Sequence, residues 1–264
     1  MFRTIQKSNP AFESNHLSFI TVKTNNLRGR GDICLFVPPL EGLKDVPLVI
    51  LLHGVYGSAW EWSQKGGVHI AAWKMMQRKE LKPMVIAMPS DGLWGDGSGY
   101  VPHNGLDFEK WIVEDVPKAV IESVEAISEK SDLYISGLSM GGFGALRLGI
   151  KYADKFKAVS AHSSITELGQ MSMFVEESLK EYEQKNRQEE SVIELALERK
   201  DNLPKLRFDC GTEDLLIDQN RLLHEQLNKA QIMHDYKEFS GGHEWSYWQE
   251  HIKDSLLFFN KFIK

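Results

Sequence analysis

DLYISGLSMGGFGALRLGIKY, residues Asp132–Tyr152, reads as strand, tight turn and helix in immediate succession. LYIS is a β-type run, and FGALRLGIKY has helical spacing. Between them GLSMG, Gly137–Gly141, matches the G-x-S-x-G pattern of a nucleophile elbow. A strand that reverses into a helix this abruptly leaves room only for small residues around the serine, which accounts for Gly137, Gly141 and Gly142. The turn lifts the Ser139 hydroxyl above the sheet. The following helix then aims its N-terminus, with partial positive charge, at an oxyanion forming there. A nucleotide-binding turn would need Gly-Lys-Ser/Thr, or G-x-G-x-x-G after the first strand, and the chain has neither.

Outward from the elbow, strands alternate with helices. Upstream, VPLVILLHG (Val46–Gly54) and PMVIAMPS (Pro83–Ser90) are apolar on both faces, as in a parallel sheet covered on two sides. Leu17–Thr24 and Gly31–Pro39 alternate apolar with polar and read as an opening antiparallel pair. VHIAAWKMMQRKE is helical, and Asp107–Ile127 is one long helix or two meeting at Pro117. Downstream follow the strand KAVSAHSS, the strand RFDCGTED, the helix QNRLLHEQLNKA, the strand and loop HDYKEFSGGH, and a last helix WSYWQEHIKDSLLFFNKFI. This cadence predicts an α/β fold over residues 1–264: a single domain with a mostly parallel sheet between two helical layers. Residues 165–205, polar and helix-prone, interrupt the rhythm as a helical insertion before the acid-bearing strand, readable as a lid or as a solvated crossover.

The bulk numbers fit an enzyme of this kind. Of 264 residues, 42% are apolar and 26% charged, and the net charge is −6. An acidic chain without basic blocks is a poor ligand for nucleic acid or for anionic membranes. No apolar run is long enough to span a bilayer, and the N-terminus has no apolar leader core, so the expected location is the cytoplasm. Cys34 and Cys210 each fall in an apolar strand and are expected as buried thiols.

A serine hydroxyl needs a base, and the hydrolase order is Ser, then Asp or Glu, then His. His162 comes too early, His224 and His251 lie in helices, and His234 opens a strand. His243, in the glycine-flanked loop SGGHEW after the last strand, is the candidate base. Asp214, in the loop beyond the preceding strand, is the preferred acid. Glu213 reads as solvent-facing and Asp218 as the N-cap of the next helix. Asp214 would orient His243 and stabilise its imidazolium without taking the proton. The oxyanion donors are expected to be the N–H groups of Met140 and Val55, with Tyr56 as second choice for the latter, and His53 is expected to hold that loop. The segment Pro89–Gly105 is expected to border the pocket, with Trp94 and Tyr100 as stacking surfaces. Asp91, Asp96 and His103 match no standard ligand spacing, so no metal and no other cofactor is expected.

Taken together, LLHGVYGS, WIVEDVPKAV, GLSMGGFGAL, CGTEDLL and GGHEWSYW resemble the esterase D-like branch of the α/β-hydrolases. That branch holds tributyrin and acetyl esterases, feruloyl esterases, S-formylglutathione hydrolases and mycolyltransferases. The resemblance covers nearly the whole chain and implies the same roles for Ser139, Asp214, His243, Val55 and Met140. The S-formylglutathione hydrolases usually carry LSG where this chain has LHG, and the mycolyltransferases are exported, so the nearest resemblance is to the compact tributyrin/acetyl-esterase type. It implies a small-molecule or oligosaccharide ester as partner, with a short acyl group and an acetylated or aromatic-acylated sugar among the candidates. An acyltransferase using the same three residues, a non-catalytic binding protein on the same fold, and a homo-oligomer all stay open on the sequence.

Overall fold

The computed structural model describes residues 2–263. In chain order the strands are β1 Ile5–Lys7, β2 Leu17–Thr24, β3 Gly29–Phe36, β4 Leu48–Leu52, β5 Val85–Pro89, β6 Pro102–His103, β7 Leu106–Asp107, β8 Leu133–Leu138, β9 Phe156–His162, β10 Lys205–Gly211 and β11 His234–Phe239. The α-helices are α1 Glu61–Gln64, α2 Val68–Gln77, α3 Phe108–Lys110, α4 Val116–Ile121, α5 Met140–Lys151, α6 Val192–Glu198, α7 Ile217–Lys229 and α8 Trp245–Asn260. Nine strands form one sheet in the order β1-β2-β3-β5-β4-β8-β9-β10-β11, and β6 and β7 make a separate hairpin. From β5 to β11 every neighbouring pair is parallel, whereas β1, β2 and β3 join antiparallel.

The pleat explains why the central strands are apolar throughout. Leu48, Ile50 and Leu52 of β4 point into one core, while Val49 and Leu51 point into the other. The first core packs residues of α4, α5, α6 and α7 against the sheet; the second packs those of α1, α2 and α8. With both faces covered, neither face of β4, β5 or β8 can afford polar alternation. The α/β-hydrolase architecture expected from the sequence is therefore the one observed.

Three details differ from the sequence reading. The edge strand β1 has no apolar alternation and gave no signal. The long helix ends at Ile121, not Ile127, and Pro117 does not break it. A π-turn at Trp111–Asp115 joins α3 to α4, with the Val116 N–H donating to the Trp111 carbonyl. Pro117 sits in the first turn of α4, where its missing donor costs little. The 165–205 segment is less helical than expected. Only α6 is an α-helix; Leu168–Met173, Leu179–Tyr182 and Arg187–Glu190 are short 3₁₀ turns. Ser178, Asn186 and Ser191 accept hydrogen bonds from Lys180, Gln188 and Glu194 N–H groups, and these side-chain caps restart the chain before a helix can propagate.

The segment is tied down by charge. The buried Arg147 guanidinium of α5 reaches Glu109 at 2.5 Å and Glu189 at 2.6 Å, and its Nε donates to the Glu189 carbonyl. Burial alone would raise the Glu109 carboxyl; Arg147, Lys151 and Tyr152 outweigh it and hold it below the ordinary range.

Candidate active site

Ser139 ends β8 and precedes α5, with φ +54° and ψ −121°. A non-glycine residue here is strained by about 1–3 kcal/mol. The turn is held by hydrogen bonds from Ser139 N–H to the His162 carbonyl (3.0 Å) and from Phe143 N–H to the Ser139 carbonyl (3.1 Å). A side chain on Gly137 would collide with the Gly141 backbone, and one on Gly141 with the His53 carbonyl. These glycines let the elbow close on itself and let the loop after β4 lie against it.

At the same carboxyl end of the parallel strands, β10 leads to Asp214 and β11 to His243. His243 Nε2 lies 3.0 Å from Ser139 Oγ, and His243 Nδ1 lies 3.0 Å from each Asp214 carboxylate oxygen. An ionised carboxylate only accepts, so Nδ1 carries the proton and Nε2 is free to accept from Oγ. Asp214 is buried and also accepts from Leu216 N–H at 2.8 Å. Burial pushes its carboxyl up, but the hydrogen bond and charge of His243 and the Leu216 N–H pull it further down, so it stays ionised below the usual range. Glu213 is exposed, as expected. Asp218 is not the helix cap. Leu216 occupies that position without a side-chain bond, because Asp214 already closes the preceding turn, and Asp218 points to solvent in the first turn of α7.

The loop after β4 approaches the elbow at Gly54, where a side chain would touch Leu138 and Ser139. The N–H groups of Val55 and Met140 donate to no described residue, whereas Tyr56 N–H is engaged by the Asp96 carbonyl at 2.7 Å. Val55 and not Tyr56 thus keeps a free donor. His53 is buried with both nitrogens occupied: Nδ1 donates to the Gly54 carbonyl at 2.7 Å, and Nε2 accepts from Asp91 N–H at 3.0 Å. It braces the loop and has no nitrogen left for chemistry.

A second Ser–His–Asp grouping lies below the first. His162 Nε2 is 2.7 Å from Ser255 Oγ, and its Nδ1 is 3.0 Å from Asp209, which also meets Arg207 at 2.6 Å and Tyr247 OH at 2.8 Å. All of these side chains are sealed between β9, β10 and α8, so no substrate can reach Ser255. Solvent access separates the two groupings; distances do not. The other histidines weighed as the base have structural partners, His224 with His234 at 2.7 Å and His251 with Asp254 at 3.1 Å.

The expected stacking surfaces require correction. Tyr100 has no exposed surface; its ring packs on Gly144 and its hydroxyl donates to the His53 carbonyl at 3.0 Å. Trp94 is half-buried and uses its ring against His103 (4.4 Å) and Tyr182 (5.6 Å). The glycine-rich 89–105 segment folds back on itself, with Asp91 accepting from Leu93 and Ser98 N–H groups and His103 bonded to the Ser98 carbonyl. The aromatic that does meet the site is Phe174, whose ring stacks on His243 at 5.7 Å and 23°, while Trp248 presents an edge to the same imidazole at 5.0 Å. Phe174 lies in an irregular stretch 35 residues beyond the serine, and no periodicity marks it.

Comparison with known proteins places the chain in a family. The model of the Esterase family, described as "Putative esterase", matches residues 25–259, and the chain belongs to that family. It is a carboxylic-ester hydrolase of α/β-hydrolase fold. An acetyl esterase of Caldicellulosiruptor saccharolyticus is 26% identical over 238 residues, covering 83% of this chain and 85% of that one. Among solved structures, a ferulic acid esterase superposes with a TM-score of 0.80 at 23% identity, over 98% of this chain and 99% of that one. The substrate-bound fluorophosphonate-binding serine hydrolase F of Staphylococcus aureus gives 0.78 at 21% identity, over 91% and 96%. Among the described residues no helix is long and apolar enough to cross a membrane.

Proposed function

We propose that the chain is a serine esterase that cleaves short-chain acyl esters, including acetylated or aromatic-acylated carbohydrates, through an acyl-enzyme on Ser139. The observation that carries this reading is the unbroken line from Asp214 through His243 to Ser139, with 3.0 Å at each step, beside two unengaged backbone donors. Ser139 Oγ attacks the ester carbonyl while His243 Nε2 takes its proton. The Val55 and Met140 N–H groups stabilise the oxyanion. Such donors are worth about 3–4 kcal/mol each in other hydrolases. The imidazolium, steadied by Asp214, returns the proton to the leaving alkoxide. Water, activated by His243, then attacks the acyl carbon and frees Ser139. The acetyl esterase and ferulic acid esterase likenesses support short acyl and aromatic acyl groups as the first substrates to try. The His243 side chain keeps 16% of its surface exposed, so water can reach it for the second step.

The test is turnover of p-nitrophenyl acetate by wild type and Ser139→Ala. Loss of the serine should lower kcat on the order of 10⁶-fold. A variant as fast as wild type would end the proposal.

A further inference from the structure

Two aromatic rings lie against the proposed base, Trp248 from the helix that follows it and Phe174 from a distant part of the chain. Phe174 belongs to the 165–205 segment, yet its ring lies nearly parallel to the His243 imidazole with centroids 5.7 Å apart. Its main chain is anchored to the loop after β4: the Tyr56 hydroxyl donates to the Phe174 carbonyl. Tyr56 directly follows Val55, the proposed oxyanion donor. A reciprocal pair secures the same junction, with Glu176 N–H donating to Asp96 Oδ2 at 2.9 Å and Asp96 N–H donating to Glu177 Oε1 at 3.0 Å. Asp96 in turn holds Tyr56 N–H through its carbonyl. The segment therefore bridges from the base to the oxyanion loop, and Phe174 is the side chain it places beside the base.

We propose that Phe174 is a specificity-determining residue for the alcohol portion of the ester and a positioning residue for His243. The inference rests on Ser139 and His243 being the reacting pair. In acylation His243 Nε2 delivers its proton to the leaving oxygen, so that oxygen must sit within hydrogen-bond reach of Nε2. The alcohol group attached to it then runs past the imidazole, where the phenyl ring already lies. The acyl group points away, because its carbonyl oxygen is turned toward the Val55 and Met140 donors. Bulk at Phe174 thus limits the alcohol and leaves the acyl chain alone. The same ring, with the edge of Trp248 against the imidazole, restricts the His243 plane. A ring displaced by even 1 Å loses rate well before it loses binding.

Phe174→Ala separates these effects when assayed on two ester series. One holds the acetyl group and varies the alcohol from methyl to benzyl to naphthyl; the other holds p-nitrophenol and lengthens the acyl chain. The expected result is a gain of about tenfold in kcat/KM for naphthyl acetate relative to methyl acetate, a size typical of pocket discrimination. The p-nitrophenyl acyl-chain profile should keep its shape. On methyl acetate kcat should fall while KM holds, and Phe174→Tyr should restore it. Tyr56→Phe, which removes only the tether to the Phe174 carbonyl, should shift the alcohol series in the same direction by a smaller factor, and it carries the test should Phe174→Ala not fold. A shift confined to the acyl series, or no shift in either, overturns the proposal. Ser139→Ala run alongside keeps the outcomes apart: if that variant is as active as wild type, the esterase mechanism itself fails; if it is inert, the result on Phe174 stands alone.

Discussion

The backbone N–H of Ser139 donates to the carbonyl of His162, and the side chain of that same histidine is gripped by Asp209 at 3.0 Å. One residue thus suspends the elbow by its main chain and anchors a buried charge cluster by its ring. Burial alone would raise the Asp209 carboxyl; His162, Arg207 and Tyr247 outweigh it and bring it to about 2. A carboxyl lower in the folded state than its unfolded value of about 3.9 contributes stability above that value. The contribution is lost as pH falls through about 2. Asp209→Asn should lose on the order of 3 kcal/mol at neutral pH, because Arg207 is left buried beside a neutral amide. Thermal melts at intervals from pH 7 to pH 2 should show the gap from wild type shrinking below about pH 4. A gap independent of pH would contradict this account.

Asp214→Asn keeps the shape of the site and changes one proton. The amide can donate to His243 Nδ1, which favours the tautomer with its hydrogen on Nε2 and leaves no lone pair facing Ser139. A kcat lower by roughly 10⁴-fold, with KM nearly unchanged, is expected from the same change in a known triad. Steady-state kinetics on p-nitrophenyl acetate measure it, and a loss seen only in KM would argue against the role given to Asp214.

Gly141→Ala tests how closely the loop after β4 must lie against the elbow. The added methyl collides with the His53 carbonyl, which is backbone and cannot step aside. Overpacking of this kind costs about 1–3 kcal/mol. Since His53 precedes the loop that bears Val55, activity should fall further than stability, and reactivity toward a fluorophosphonate should drop with it. A fully active, less stable variant would show that the loop tolerates displacement.

Arg147 ties α5 to α3 and to the segment that carries Phe174. Arg147→Ala leaves Glu109 buried with Lys151, at 2.8 Å, and the Tyr152 hydroxyl for compensation. The loss should be about 3–5 kcal/mol, whereas Arg147→Met, which keeps apolar volume, should lose less. Urea midpoints with an unchanged slope would establish this. Equal losses for both substitutions would mean that charge pairing and not volume is what matters there.

The sheet was legible because its central strands are buried on both faces, and a run such as LVILL has few other uses. The proposed triad was legible because each member directly follows a strand, so chain order and the parallel sheet together bring Ser139, Asp214 and His243 to one edge. Where the chain packs through irregular backbone, periodicity says nothing. Tyr100 looked like an exposed aromatic in a glycine-rich loop, yet it is wholly buried because Gly144 leaves room for its ring. Phe174 was missed for the converse reason: it follows a 3₁₀ turn in a polar stretch, and only three-dimensional closure places it on His243. The π-turn that joins α3 to α4 just before Pro117 has no simple sequence signature.

The sealed Ser255–His162–Asp209 grouping has a consequence for anyone who counts active sites chemically. By interatomic distance alone, two groupings among the described residues have the spacing of a triad, and His162 with Ser255, at 2.7 Å, is the tighter of the two serine contacts. A phosphonate titration of the intact protein should nevertheless saturate at one equivalent. Parting β9 from α8 would expose Ser255 only by taking His162 away from it, so the serine that becomes reachable has lost its base and unfolding should add no second equivalent.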